Sequence, residues 1–175
     1  YLPRVLADSN DDEARGQLLL AATFAGIGFG NAGVHLPHGM SYPVSGMVRD
    51  FSPADYKTDY PIVPHGMSVI LNAPAVFRFT ASANPRKHLY AAKLLGVDVS
   101  EAKEEDAGNI LADALIAVMK QTGMPNGLSA VGFSEADVEK LAEGTLPQHR
   151  VTKLSPRPAN KEDLMMLFRG AMRYW

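Results

Sequence analysis

The pentapeptide Pro-His-Gly-Met-Ser occurs twice, at Pro37–Ser41 and at Pro64–Ser68, and it places two of the chain's five histidines in one local context. Both copies lie in segments without formal charge. From Gly16 to Val48 there is no Asp, Glu, Lys or Arg, and a second uncharged run covers Pro61 to Phe77. A buried neutral imidazole needs a partner for each ring nitrogen, and leaving one unmet costs about 1–3 kcal/mol. A metal ion held between the two segments meets that need, with His38 and His65 as nitrogen donors from separate elements. The competing reading is a pair of structural histidines bonded to backbone carbonyls. In the first segment His35, His38 and Tyr42 are spaced three and four apart, so a helix through them offers two imidazoles and a phenol on one face. In the second, Pro64 suits the first turn of a helix, and Gly66 leaves room for a neighbour or ligand beside His65.

The ligand count is short. A catalytic zinc or iron site takes three or more protein ligands and keeps a position open, and this chain has no cysteine and only two well-placed histidines. No histidine has an Asp four residues before it, the arrangement that would add a carboxylate and an imidazole from one helix. Either His35 or a loop carboxylate such as Asp50 or Asp55 completes the site, or the remaining ligands lie in other sequence.

Other polar residues read more plainly. Gly28–Gly33 spells GFGNAG, formally a dinucleotide fingerprint, but that motif needs a strand before it and a helix after it. Leu18–Ile27 is too rich in Leu and Ala for a strand, so glycines at a helix crossing are the better account. His88 reads as a surface residue and His149 as a loop residue. Arg150, Lys153 and Arg157 form a basic loop, either solvated or able to attract a carboxylate. Met165, Met166 and Met172 read as core filler.

The elements that must position these groups are helical. The chain has 175 residues, 46% hydrophobic and 21% charged, enough for one domain with a real core. Its net charge of −2 and lack of any basic run argue against nucleic acid or an anionic membrane as partner. Glycines, prolines and histidines interrupt the uncharged runs too often for a lipid-facing helix, so both are expected to be buried on all sides in a helical core. Asn10 and Glu13 are spaced as a capping box ahead of EARGQLLLAATFAG. Asn84 with Pro85, Ser100, Ser134 and Asn160 each open a further helical segment, ending at Gly96, Gly123, Gly144 and Trp175. Loops are expected over Phe51–Tyr60, Met124–Phe133 and Leu146–Ala159. No alternating strand is evident, and the fold class is all-α, one domain over residues 1–175. The opening YLPRVLADSNDDEAR has no initiator Met, which reads as numbering that begins inside a longer protein.

Across GIGFGNAGVHLPHGMSYPVSG and VPHGMSVILNAPAVFRF the chain resembles the C-terminal helical domain of the iron-containing (group III) alcohol dehydrogenases. The late GTLPQHRVTKLSPRP is most similar to their hydroxyacid-oxoacid transhydrogenase branch. The resemblance implies a helical bundle like the C-terminal half of dehydroquinate synthase, an absent N-terminal α/β domain that binds most of NAD(P), and a divalent metal, Fe²⁺ or Zn²⁺, between the two. His38 and His65 match the two later metal ligands, and the earlier pair would precede residue 1, so this chain alone is expected to be inactive. The resemblance implies hydride transfer between a 4-hydroxybutyrate-like hydroxyacid and a 2-oxoglutarate-like oxoacid, with ordinary alcohol dehydrogenation as the alternative and a non-catalytic helical binding module as the contrasting class. Many members carry a second His four residues after the first ligand. Here that position is Tyr42, so Tyr42 or His35 is the expected proton relay. The chain's own cofactor-binding residues are not identified. The implied location is the cytoplasm, or the mitochondrial matrix in a eukaryote, and a homo-oligomer is compatible with this reading.

Overall fold

The computed structural model describes all 175 residues and contains nine α-helices and no strand. They are α1 (Leu2–Ala7), α2 (Asp12–Ala32), α3 (Leu36–Gly46), α4 (His65–Thr80), α5 (Pro85–Leu94), α6 (Ala107–Gln121), α7 (Val138–Thr145), α8 (His149–Thr152) and α9 (Lys161–Ala171).

Side chains close the helix starts where the sequence offers short polar groups. Asn84 accepts from the Lys87 amide at 3.2 Å with Pro85 in the first turn of α5. Ser134 with Asp137, and Asn160 with Asp163, form capping boxes ahead of α7 and α9. Two expected starts move. The cap of α2 is Asp11, which accepts from Ala14, because Asn10 is turned back onto Asp8. Helix α6 starts at Ala107 and not near Ser100, whose amide is taken by the Asp98 carboxylate in a local turn, with a single 3₁₀ turn at Glu104–Asp106 leading in. The expected loops beyond residues 124 and 146 also hold short helical pieces, Leu128–Val131 and α8.

Helix α4 is the centre of the domain, packed against α3, α6 and α9, while α7 covers α3 and α9, and α5 lies on α6. One core unites Leu36, Met40 and Val44 of α3 with Leu71 and Val76 of α4, Met119 of α6, Leu141 of α7 and Phe168 of α9. Gly108 sets the α4–α6 distance: a Cβ there would lie 2.9 Å from Ala81 Cβ and 3.0 Å from the Arg78 Cα. The C-terminus is tied in by Asn126, whose Oδ1 accepts from the amides of Tyr174 and Trp175, and by the half-buried Tyr174, whose phenol donates to the Leu71 carbonyl at 2.8 Å.

Helix α2 departs from the expectation of burial. Only Ala14 is buried along it, and Leu19, Phe24 and Ile27 are 72%, 63% and 59% exposed. Its apolar residues are spread round every side, so no single stripe can be satisfied by one neighbour. Gly26, Gly28 and Gly30 likewise have no atom within contact of a would-be Cβ, so no helix of this chain crosses there. The helix runs unbroken through Gly28 to Ala32, which removes the dinucleotide fingerprint. No single helix is long and apolar enough to cross a membrane, and α2 and α3 are bent by 108° at their junction.

Phe168 is fully buried in this core, on the helix that packs against α4 and α7. Phe168→Ala is expected to destabilise the domain by about 3–5 kcal/mol, read from urea unfolding midpoints. A loss below about 1 kcal/mol would show that this core is not the cooperative unit.

Candidate metal centre

The two histidine motifs open two neighbouring helices. Pro37 sits in the first turn of α3, and Pro64, with φ −53° and ψ 145°, is the residue immediately before α4. Each motif then repeats one device: Ser41 Oγ donates to the His38 carbonyl and Ser68 Oγ to the His65 carbonyl, both at 2.8 Å. Both serines are fully buried. Ser45 Oγ lies 3.0 Å from Ser68 Oγ and 3.2 Å from the Val63 carbonyl, which ties α3 to the start of α4. Asn72 Nδ2 continues the polar line by donating to the Ser68 carbonyl at 2.8 Å. The backbone of each histidine is therefore fixed before its ring is considered.

The rings converge. The His38 and His65 ring centroids are 5.4 Å apart with planes inclined by 59°. Neither ring hydrogen-bonds to the protein. The structural-histidine arrangement is present elsewhere, at His88, which is buried with Nδ1 2.8 Å from the Asn84 carbonyl and Nε2 3.1 Å from Thr80 Oγ1. His88 is thus a satisfied core residue and not the surface residue its charged neighbours imply. Burial holds the His38 pKa below the ordinary imidazole value, and repulsion from His65 adds to the effect. A neutral imidazole with a free nitrogen lone pair is the form a metal ion takes.

The pair opens onto a cavity of about 370 Å³ walled by Phe29, Val34 and Leu154 and edged by Tyr42 and Arg150. Arg150 Nη2 donates to the Tyr42 hydroxyl at 2.9 Å. Gly39 makes this possible. A Cβ there would lie 2.9 Å from Thr152 Cγ2, so only glycine lets α8, which carries Arg150, lie against α3. Leu154 packs onto Gly33, the left-handed residue that ends α2. Phe29 and Leu154 have no recognisable signal in the sequence, because each is one apolar residue among many.

The expected face of His35, His38 and Tyr42 is only partly realised. His35 is the residue before α3, with φ −129° and ψ −141°, outside the helical register that would align it with the others. Its ring meets Phe77 edge to face at 6.3 Å, and its Nδ1 is buried without a partner. Burial, followed by the charges of His38 and His88, lowers its pKa. Neither His35, Asp50 nor Asp55 joins the histidine pair, and no cluster of three potential ligands exists anywhere in the chain. Of the basic loop, Arg150 alone reaches the cavity: Arg157 lies 3.9 Å over the Phe79 ring, and Lys153 borders a separate cavity with His149.

Residues 1–172 match the Fe-containing alcohol dehydrogenase family, C-terminal part. The chain belongs to that family. It is 51% identical over 175 residues to the mitochondrial hydroxyacid-oxoacid transhydrogenase of Bos taurus, and 52% to that of Homo sapiens, covering all of this chain and 38% of each relative. A probable mitochondrial hydroxyacid-oxoacid transhydrogenase of Dictyostelium discoideum is 52% identical over 170 residues, 97% of this chain and 31% of the relative. Among solved structures, a 1,3-propanediol oxidoreductase superposes with a TM-score of 0.83 at 26% identity, over 97% of this chain and 41% of that one. An alcohol dehydrogenase from Oenococcus oeni, at 23% identity and TM-score 0.84, shares the fold over 97% of this chain and 40% of its own length. The chain therefore spans well under half the length of the relatives it matches.

An iron-type family implies a metal, and the residues present fit one in part. Two unpaired imidazoles, held by their backbones and facing a cavity, are the right donor chemistry. Two donors are too few to close a site, and no third His, Asp or Glu of this chain joins them.

In the metal-free protein, an NMR titration of His38 is expected to give a midpoint below the unperturbed value of about 6.5, because burial and His65 both disfavour its charged form. In His65→Ala the repulsion is lost while the burial stays, so the midpoint rises part of the way back. A midpoint at or above 6.5 in the parent protein would mean that the ring is solvated and the pair does not form.

Proposed function

We propose that the chain is the metal-binding half of a two-domain oxidoreductase that moves hydride between a 4-hydroxybutyrate-like hydroxyacid and a 2-oxoglutarate-like oxoacid. The observation that carries this reading is the convergence of His38 and His65, unbonded, on a cavity shared with Tyr42. It is supported by the chain's identity to the named transhydrogenases along its whole length.

In this mechanism His38 and His65 hold a divalent ion, Fe²⁺ or Zn²⁺, together with ligands from an N-terminal domain. When bound, that ion would supply Lewis acidity at a substrate hydroxyl, and a nicotinamide carried mainly by the other domain would supply the hydride chemistry. Phe29, Val34 and Leu154 present apolar walls that limit water at the reacting carbon. Tyr42 relays the hydroxyl proton. Its oxygen accepts from Arg150, which leaves its own proton to be given to the substrate oxygen when the oxoacid is reduced and regained from the substrate hydroxyl when the hydroxyacid is oxidised. His35 does not line the cavity, so Tyr42 takes the relay role in this reading. The unburied apolar sides of α2 are where we seat the nucleotide-binding domain. The name of each curated relative includes "mitochondrial", and a matrix location follows if the source is a eukaryote.

Anaerobic calorimetry with Fe²⁺ and Zn²⁺ on the full-length protein is expected to give one equivalent per chain, lost in His38→Ala, while residues 1–175 alone bind far more weakly. With 4-hydroxybutyrate and 2-oxoglutarate together, the full-length protein should form succinate semialdehyde and 2-hydroxyglutarate in equal amounts with no net change in nicotinamide. Tyr42→Phe should keep its metal and lose about 100-fold in turnover. Metal binding with turnover of simple alcohols only would make the protein an ordinary alcohol dehydrogenase. Absence of metal binding would leave a helical module with structural histidines.

A further inference from the structure

We propose that Arg150 is the anchor for the substrate's remote carboxylate and that Tyr42 is the residue that positions it. The inference rests on the hydroxyacid reading above and adds the group that selects an acid over a neutral alcohol.

Three observations support it. Arg150 is the only formally charged side chain lining the cavity that holds His38 and His65, and no Asp or Glu lines it. The chain's ion pairs employ Arg4, Arg49, Arg78, Arg86, Lys103, Lys161 and Arg169, and Arg150 has none. Its partner is instead a neutral phenol, Tyr42, which fixes Nη2 at 2.9 Å without neutralising the charge. A guanidinium has five N–H donors in a planar fork, so most of its donors stay free for a bidentate carboxylate. A bound divalent cation would add to the positive charge of the cavity, and the chain supplies nothing there to offset it. A substrate that brings its own carboxylate does.

The position of Arg150 is built in and does not depend on a flexible loop. Gly39 admits α8 to the surface of α3, Val151 beside Arg150 is buried, and Thr152 and Val151 both fill the space that a Gly39 side chain would occupy. The neighbouring cations do not line this cavity: Arg157 is committed to the Phe79 ring and carbonyl, and Lys153 borders a separate cavity. The glycine of the first Pro-His-Gly-Met-Ser thus serves the anchor, and the histidine before it serves the metal.

The test uses the full-length protein with metal and nicotinamide bound, and glutarate as an unreactive dicarboxylate probe in calorimetry. Arg150→Gln is expected to weaken glutarate about 10- to 100-fold, the range for a lost hydrogen bond to a charged group. The KM for 4-hydroxybutyrate should rise by a similar factor, and kcat/KM for 1-butanol should change by far less. Arg150→Lys keeps the charge without the fork and should recover part of the loss. Tyr42→Phe should weaken glutarate by about 3- to 10-fold, because the fork is no longer held in place. Glutarate affinity within about twofold of the parent in Arg150→Gln overturns the anchor, as does equal damage to acid and alcohol. Should the Gln variant melt early, the Lys variant decides by the same ratio of acid to alcohol. If glutarate binds through Arg150 but no hydroxyacid is oxidised, the anchor stands and the transhydrogenase reading falls. If hydroxyacid is oxidised normally in Arg150→Gln, the reverse holds.

Discussion

The site depends on one constraint, that α3 and α4 begin side by side. Helix N-termini leave backbone amides unpaired, and a buried start needs its polar groups met locally. Here a serine closes each histidine carbonyl, Ser41 on His38 and Ser68 on His65, and Ser45 in the last turn of α3 bridges to Ser68 and the Val63 carbonyl at the start of α4. Ser41 and Ser68 are themselves fully buried, so water competes little for their hydroxyls. They set the histidine backbones, and the 5.4 Å approach of the rings follows. Loosening the hydroxyl line would disorder the rings without touching either imidazole.

Charge is distributed in keeping with this. The protein's ion pairs lie on exposed surfaces, where each contributes little to stability, as with Arg86 to Glu104 and Lys161 to Glu139. Around the histidine pair no carboxylate lines the cavity, and burial holds the His38 pKa below the ordinary imidazole value. A carboxylate of this chain beside Arg150 would pair with it and fill the position where an anionic ligand could bind. The uncharged run from Gly16 to Val48 therefore has two consequences: α2 has an apolar surface that no part of this chain covers, and the cavity at its end keeps an unpaired guanidinium.

Much of this was legible in the residues, and the failures have physical causes. Helix starts at Asn84, Ser134 and Asn160 could be read because capping is local chemistry. The pairing of His38 with His65 was legible from a repeated pentapeptide in two uncharged runs. The placement of His35 was not, because spacing of three and four aligns residues only where the backbone is helical, and His35 stands one residue outside. His88 was misread because charged neighbours describe the outer face of α5, whereas its own ring turns inward to Thr80 and the Asn84 carbonyl. Burial of α2 was expected from its composition, but burial needs a packing neighbour as well as apolar residues, and no element of these 175 residues covers the helix. Arg150 could be grouped with Lys153 and Arg157 but not singled out, since only the α8–α3 contact aims it at the cavity.

The two copies of the motif share a sequence and divide the work between them. In each, proline precedes or opens the helix, histidine stands at its start, and serine closes the histidine carbonyl three residues on. Their glycines differ. Gly39 is pressed by Thr152 and Val151, so its missing side chain is used within the chain, to seat α8 and Arg150. Gly66 has no atom within contact of a would-be Cβ, and His65 beside it is exposed. The two glycines thus differ in use: nothing in this chain presses on Gly66, and the His65 side of the pair stays open.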